Sequence, residues 1–487
     1  MGDDVSGLLP RLREICGEEH VITDESRRRT YDRDGLTYHS AVPGVVVLPD
    51  TTAQVASVVR LCADHGVPFV PRGSGTGLSA GALPVPDGVL IVTSRMRRIR
   101  EVDIVNERAV VEPGVFNLDI TRAAEPDGYY FAPDPSSQQV CSIGGNVAEN
   151  SGGAHCLKYG FTVNHVTGLE IVTPEGDVVQ LGGKAPDAPG YDLLGAFIGS
   201  EGTLGIATAV TVRLVRAPER VSTLLAAFTT MDAGGAAVSA IIASGMLPAA
   251  IEMMDELAIS AAESAVACGY PDGAGAVLIV ELDGSGADVD AMFDTVSELC
   301  RDAGAFEIRT ASDADERTRI WKGRKSAFAA MGRISPAYIV QDGVVPRSSL
   351  SEVLARISDL SAETGIAVAN VFHAGDGNLH PLVLFDDADE TATELAAEVS
   401  GAILDLCVDH GGSITGEHGV GVDKACRMPK MFSPDDLETM DLFRHAFDPQ
   451  GIANPDKLLP TPRLCGEAPG VRKGVHPLVS EGKAEQF

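Results

Sequence analysis

The sequence predicts an α+β protein of two domains, and three observations carry that reading. The chain opens on strand, helix, strand and glycine loop, an α/β beginning. From 88 to 215 the pattern turns to short β-rich runs separated by turn residues. At 216–220, "RAPER" interrupts with proline and charge, and beyond it strands alternate with longer helical patterns.

The elements follow in order. Over residues 4–17, Leu8, Leu9, Leu12 and Ile15 recur at helical spacing, which predicts an amphipathic helix. "AVPGVVVLPD" (41–50) is a β-branched run bounded by prolines, a buried strand. "TTAQVASVVRLCADHG" (51–66) has a threonine start, apolar residues at 55, 58, 59 and 62, and a glycine stop, the marks of a capped helix. "VPFVPRGSGTGLSAGA" (67–82) is a short strand running into a glycine loop. Strands are expected at 88–94, 99–105 and 108–114. "HVTGLEIVTPEGDVVQL" (165–181) reads as a hairpin on its "PEGD" turn, and "GIATAVTVRLV" (205–215) as a further strand. After the break come strands at 222–230, 276–282 and 337–345, and helices at 234–245, 288–303, 348–364 and 389–410. The expected divisions are an N-terminal helical segment (1–37), a first domain (38–217), a second domain (218–460) and a Pro/Gly-rich, charged, poorly ordered tail (461–487).

Composition narrows the function. A chain of 487 residues exceeds one compact core. Acidic residues outnumber basic ones 69 to 38, a formal charge of −31, which argues against a nucleic-acid partner. Nine cysteines are scattered without a CxxC pair, as expected of reduced thiols in a cytoplasmic protein with no iron–sulfur centre of its own. The acidic start lacks the apolar core of a secretory signal, and no run of 18 apolar residues predicts a membrane span. "MGDDVS" meets the loose myristoylation pattern at Gly2, and a chance match is the reading preferred.

Three glycine-rich loops carry the first functional signal. "PRGSGTGLSAGA" (71–82) is neither a P-loop, lacking GK[ST], nor G-x-G-x-x-G, because Leu78 stands where the last glycine belongs. "PDPSSQQVCSIGGNVAENSGG" (133–153) and "GSEGTLGI" (199–206) repeat the small-residue character. Glycine leaves backbone N–H groups uncovered, and three such loops beside strands imply one extended, phosphate-bearing ligand, best a dinucleotide with a flat ring.

Two histidines in "HAGDGNLH" (373–380) carry the second. On a helix they would lie about 10 Å apart, too far to share an ion at ~2 Å. The Gly-Asp-Gly-Asn centre forms a chain bend instead, so His373 and His380 can converge. Glu417 of "GEHG" (416–419) supplies a carboxylate. Two imidazoles and a carboxylate leave open positions on a metal and suit Zn²⁺, Mn²⁺ or Fe²⁺.

The ordered motifs PRGSGTGL, PDPSS…SIGGNVAENSGG…KYG, GSEGTLGI, HAGDGNLH, GEHGVGVDK and "ANPDK" (453–457) together resemble the vanillyl-alcohol oxidase/PCMH flavoprotein family, in its branch of FAD-linked glycolate oxidase large subunits and D-lactate dehydrogenases. The resemblance covers roughly residues 38 to 460. It implies a two-subdomain PCMH-type FAD-binding domain and a C-terminal α/β-sandwich substrate (cap) domain. It also implies that Arg72, Gly73, Ser74, Gly75, Thr76, Gly77 and Leu78 receive the FAD pyrophosphate, with Ser79 nearby. Pro133, Asp134, Ser137, Ser142, Gly144, Gly145 and Asn146 would line the flavin and diphosphate, and Ser151, Gly152 and Gly153 would continue that wall. Glu201, Gly202 and Ile206 would hold the adenosine and flavin region, and Asn454 would approach the isoalloxazine from the other domain. Some relatives tether the flavin through a histidine in the first loop, which has none here, so FAD is expected to be non-covalent. His155 reads as a wall residue rather than a tether.

The resemblance further implies zinc as the usual ion at His373, His380 and Glu417, a small 2-hydroxy acid as substrate, and His418 as general base. Arg324 of "WKGRKSAF" (321–328) would pair with the substrate carboxylate, and Lys424 would help. Leu382 and Val340 stand where the 2-hydroxyglutarate enzymes carry polar groups, which favours glycolate or D-lactate. The alternatives are a D-2-hydroxyglutarate-type dehydrogenase, an ether-lipid-synthase-type transferase and a flavoprotein without turnover. An iron–sulfur or electron-transfer partner subunit is implied, with a homodimer open. The place is the cytoplasm, with attachment to the inner face of a membrane through a partner as the variant.

Overall fold

The first sheet is set by the β-branched runs. The computed structural model describes residues 5–185 and 189–460, so the tail and the Gly2 pattern lie outside the described residues. The strands run Val21–Ile22, Val45–Val47, Val89–Val92, Phe69–Arg72, the last three parallel. Helix Thr52–His65 connects two of them: Thr51 accepts from the Gln54 N–H at its start, and Gly66 at φ 62° ends it. Helix Leu9–Cys16 packs Leu12 and Cys16 into the same core, and Ile452 and Ala453 return from the far end of the chain to join them.

The second sheet is antiparallel: Ile99–Asp103, Arg108–Val111, Ile206–Arg213, Val166–Val172, Val178–Gly182. The expected hairpin is present, with Val172 opposite Val178. Beyond "RAPER", the large sheet runs Glu307–Thr310, Arg220–Phe228, Ala276–Gly284, Ala250–Asp255, Val368–His373 and onward through the histidine hairpin. Both its faces are covered. Leu224, Ala226 and Phe228 face the layer of helices Met231–Ala243, Gly286–Asp302, Leu350–Thr364 and Glu390–Asp409. Leu225 and Ala227 face helices Glu256–Val266 and Ala314–Ala330. The expected strand 337–345 is broken into Ala337–Val340 and Gly343–Val344, with Asp342 in the gap. Strand Ala250–Asp255 and helices Glu256–Val266, Ala314–Ala330 and Pro434–Phe447 were not anticipated from periodicity.

Among the described residues, seven cysteines are free and buried. Among the described residues, no helix is long and apolar enough to cross a membrane.

A polar clamp joins the two domains. His155 Nδ1 lies 2.8 Å from Asp134 Oδ2, and its Nε2 lies 3.0 Å from Glu281 Oε1. Two carboxylate partners require a proton on each nitrogen, the imidazolium. Burial opposes that charge, but Asp134 and Glu281 prevail and push the His155 pKa up to about 10. Burial likewise opposes charge on Glu281, yet hydrogen bonds from His155 and Arg317 hold it far below the usual carboxylate range. Lys158 and Tyr159 add bonds to Asp283. The stabilisation from His155 is therefore full below its unfolded pKa of ~6.5 and lost as pH rises through about 10. That from Glu281 is full above ~4.3 and lost on acidification. The thermal midpoint should fall as pH rises from about 6.5 to about 10, and His155→Gln should flatten that limb. Equal slopes in the two proteins would remove His155 from the clamp.

Candidate active site

The three glycine loops line one cleft. The first loop leaves strand Phe69–Arg72, the second surrounds the short helix Ile143–Glu149, and the third precedes strand Ile206–Arg213. Arg72, Gly73, Ser74, Gly75, Thr76, Gly77 and Leu78 all line it. So do Ser137, Ser142, Gly144, Gly145, Asn146 and Ser151, and then Glu201, Gly202 and Ile206. The glycines are there because backbones touch. Gly202 has φ 74°, and a Cβ on it would overlap the Pro71 ring. Pro71 cannot swing aside, and the left-handed backbone alone costs a side chain ~1–2 kcal/mol. Gly202→Ala should weaken FAD retention by about tenfold or more, read as the flavin-to-protein absorbance ratio after gel filtration.

Six expected wall residues lie outside the cleft lining. The Ser79 carbonyl instead accepts from the Val422 and Asp423 N–H groups. The Pro133 carbonyl accepts from Asn117, and Asp134 is committed to His155. Gly153 lies against Asp134, and Gly152 against Glu417, where a Cβ would come within 2.7 Å of Oε2. Asn454 is buried, and its amide donates to the carbonyls of Gly81 (2.9 Å) and Glu201 (2.5 Å). It ties the first and third loops together. Glu201 lines the cleft, but its carboxylate accepts from Val420 N–H (2.6 Å) and Gly421 N–H (2.7 Å). Burial pushes its pKa up to about 7 against those bonds. The cofactor-type loops thus grip the 417–424 segment of the second domain, and Glu417 and His418 join the cleft wall.

That grip seats the histidine cluster under the cleft. His373 ends strand Val368–His373 and pairs with Asn378 across the bend, and His380 precedes strand Pro381–Phe385. Nε2 of His373, His380 and His418 lie 3.5, 3.2 and 3.5 Å from Glu417 Oε1. The His380 ring stacks on His418 at 5.0 Å and meets His373 edge-on at 4.9 Å. Both nitrogens of His380, Oε2 of Glu417 and Nδ1 of His418 are buried without a hydrogen-bond partner. Orphaned atoms of this kind in one place fit a bound cation. Burial opposes charge on Glu417, but the neighbouring imidazoles of His373, His380 and His418 hold it well below the usual carboxylate range. Burial lowers the His380 pKa, leaving a neutral, lone-pair-bearing ring.

Ligand atoms of Asp342, His380, Glu417 and His418 lie within 4.8 Å of one another, a compact set that excludes His373 and includes Asp342. Asp342 has other work. Its Oδ2 accepts from Thr415 Oγ1 (2.6 Å) and the N–H groups of Gly416 (2.8 Å), Glu417 (3.0 Å) and His418 (2.9 Å). It shapes the loop that presents Glu417 and His418, whereas His373 aims Nε2 at Glu417 with nothing else to bind. His373 lies outside that compact set, with its Nε2 3.5 Å from Glu417 Oε1. Lys424 Nζ is buried 3.5 Å from Asp342 Oδ2. Arg324 Nε donates to Glu252 Oε2 at 2.7 Å, and its Nη2 is buried and unpartnered. Glu252 and Asp342 escaped the sequence reading. Their signal was an acid inside an apolar strand run, "AIEMM" and "IVQDGVV".

Residues 43–182 match the family described as FAD binding domain, and residues 217–458 match FAD linked oxidases, C-terminal domain. Glycolate oxidase subunit GlcD of Escherichia coli (strain K12) is 48% identical over 465 residues, 95% of this chain and 93% of that protein. The GlcD of Bacillus subtilis (strain 168) is 38% identical, covering 92% and 96%. D-lactate dehydrogenase of Anaerostipes hadrus is 31% identical, covering 93% and 97%. In fold, p-cresol methylhydroxylase with substrate bound superposes with a TM-score of 0.78 at 18% identity, covering 93% of this chain and 96% of that one. The glycine-walled cleft, the two matched domains and the shared architecture establish that the chain belongs to the FAD-linked oxidases built on the p-cresol methylhydroxylase fold.

Proposed function

We propose that the protein oxidises a small 2-hydroxy acid, glycolate or D-lactate, to the 2-oxo acid. The observation that carries this reading is the convergence of three imidazole Nε2 atoms on Glu417 Oε1 within 3.2–3.5 Å, at the wall of the FAD cleft. Bound FAD supplies the two-electron hydride acceptor, and a divalent cation held by His373, His380 and Glu417 supplies the charge that acidifies the substrate hydroxyl. The chain's own residues do the rest. His418 reaches the cleft and takes the hydroxyl proton. Arg324, with Nη2 free, receives the substrate carboxylate. Leu382 and Val340 pair across neighbouring strands and are both buried, so no partner awaits a second carboxylate there. That supports a short acid over 2-hydroxyglutarate. The relatives named GlcD are called subunits, which supports a separate electron-accepting partner.

The test is anaerobic mixing of the yellow holoprotein with glycolate, D-lactate, L-lactate and D-2-hydroxyglutarate. Rapid bleaching of the flavin band with glycolate or D-lactate is expected. A flavin that stays oxidised with every acid would overturn the proposal.

A further inference from the structure

Glu252 is a carboxylate in the wrong place for a strand that otherwise builds the core. In strand Ala250–Asp255, Ala250 and Met254 pack in one layer and Ile251 and Met253 in the other. Glu252 itself is wholly buried. A buried carboxylate costs several kcal/mol unless it is paired, and this one is paired twice. The sheet register sets Glu252 directly opposite His373, with Oε1 2.6 Å from Nδ1. Its second oxygen accepts from Arg324 Nε at 2.7 Å. Helix Ala314–Ala330 brings that arginine in from the covering layer.

Each bond has a directional consequence. A carboxylate on Nδ1 keeps a proton there, so with a cation bound the lone pair of His373 left for it would be on Nε2, the atom that faces Glu417 at 3.5 Å. A carboxylate on Nε of Arg324 fixes the plane of the guanidinium and leaves Nη2 buried with its hydrogen-bonding capacity unspent. One acid therefore sets the aim of a cation ligand and of a carboxylate receptor. We propose that Glu252 is the positioning residue that orients His373 and Arg324 together, coupling the cation site to the carboxylate-binding site. This rests on the function proposed above.

The test uses the full-length, FAD-loaded protein, stripped of metal and titrated with Co²⁺ by calorimetry and visible absorption. Wild type should bind one ion per chain. Glu252→Gln, of the same shape, should bind about 10- to 100-fold more weakly, the usual cost of losing such a partner. Its FAD content and circular dichroism should be unchanged, and its melting should fall because Arg324 loses a buried partner. Oxalate, an unreactive dicarboxylate read by its perturbation of the flavin band, should also bind more weakly to the variant. Should Glu252→Gln fail to fold, Glu252→Asp, which withdraws the charge by one methylene, is read by the same two titrations. Co²⁺ affinity within twofold of wild type overturns the proposal even if the substrate test succeeds. A wild-type protein that bleaches with glycolate but binds no Co²⁺ overturns it too, while leaving the reaction itself standing.

Discussion

His418→Asn should keep its yellow colour and lose substrate-dependent bleaching. The rate of flavin reduction on anaerobic mixing with glycolate or D-lactate should fall by about 10²–10⁴-fold, the range carried by a positioned general base. Colour should persist because the cleft is walled mainly by the three glycine loops, and His418 touches only its edge. The fold should persist because the loop is held by its backbone: the His418 N–H donates to Asp342, and Val420 and Gly421 donate to Glu201. None of those bonds uses the imidazole. Asparagine keeps a polar group of similar reach but cannot accept a proton at neutral pH. Stopped-flow absorbance at the flavin band is the measurement. A variant that reduces its flavin at the wild-type rate would assign the proton to another group, and Asp342, saturated by four donors, is a poor heir.

What could be read from the sequence follows what local chemistry writes into it. The glycine loops were legible because close backbone approach excludes side chains, as at Gly202 against Pro71. Convergence of His373 and His380 was legible because Gly-Asp-Gly-Asn permits only a bend. Helix Ala314–Ala330 was missed because "ADERTRIWKGRK" is charged nearly throughout and its apolar side is short: Ile320, Trp321, Ala327 and Ala330. Lys424 and Asn454 were given ligand roles on their polarity, and the structure places both in buried contacts between distant segments. Burial depends on which distant segments close over a residue, and Asn454 is closed over by loops some 250 and 370 positions away. Glu252 and Asp342 were unreadable for the same reason, because their partners lie far along the chain and are chosen by sheet register and loop docking.

Glu417→Gln is the second severe variant, and its effect should be on the ion. In the wild-type site one carboxylate oxygen faces three imidazoles, and the other is buried without a partner. Glutamine has nearly the same volume, so the Gly152 contact and the loop path survive. It lacks the charge that a divalent cation needs, and its NH₂ presents donors where a ligand must present a lone pair. Two neutral imidazoles alone make a weak site for a hard or borderline cation. The variant should purify with FAD, carry less than about a tenth of an ion per chain, and reduce its flavin on the order of 10³-fold more slowly. Elemental analysis and stopped-flow reduction read the two losses separately. Protein that loses the ion yet keeps the wild-type rate would show that proton removal by His418 suffices without a cation. Protein that keeps the ion and loses the rate would move Glu417 from the ligand set to the alignment of substrate. Either result separates the cation from the base, because the two neighbours Glu417 and His418 reach the cleft from one loop whose shape, held by Asp342, neither substitution disturbs.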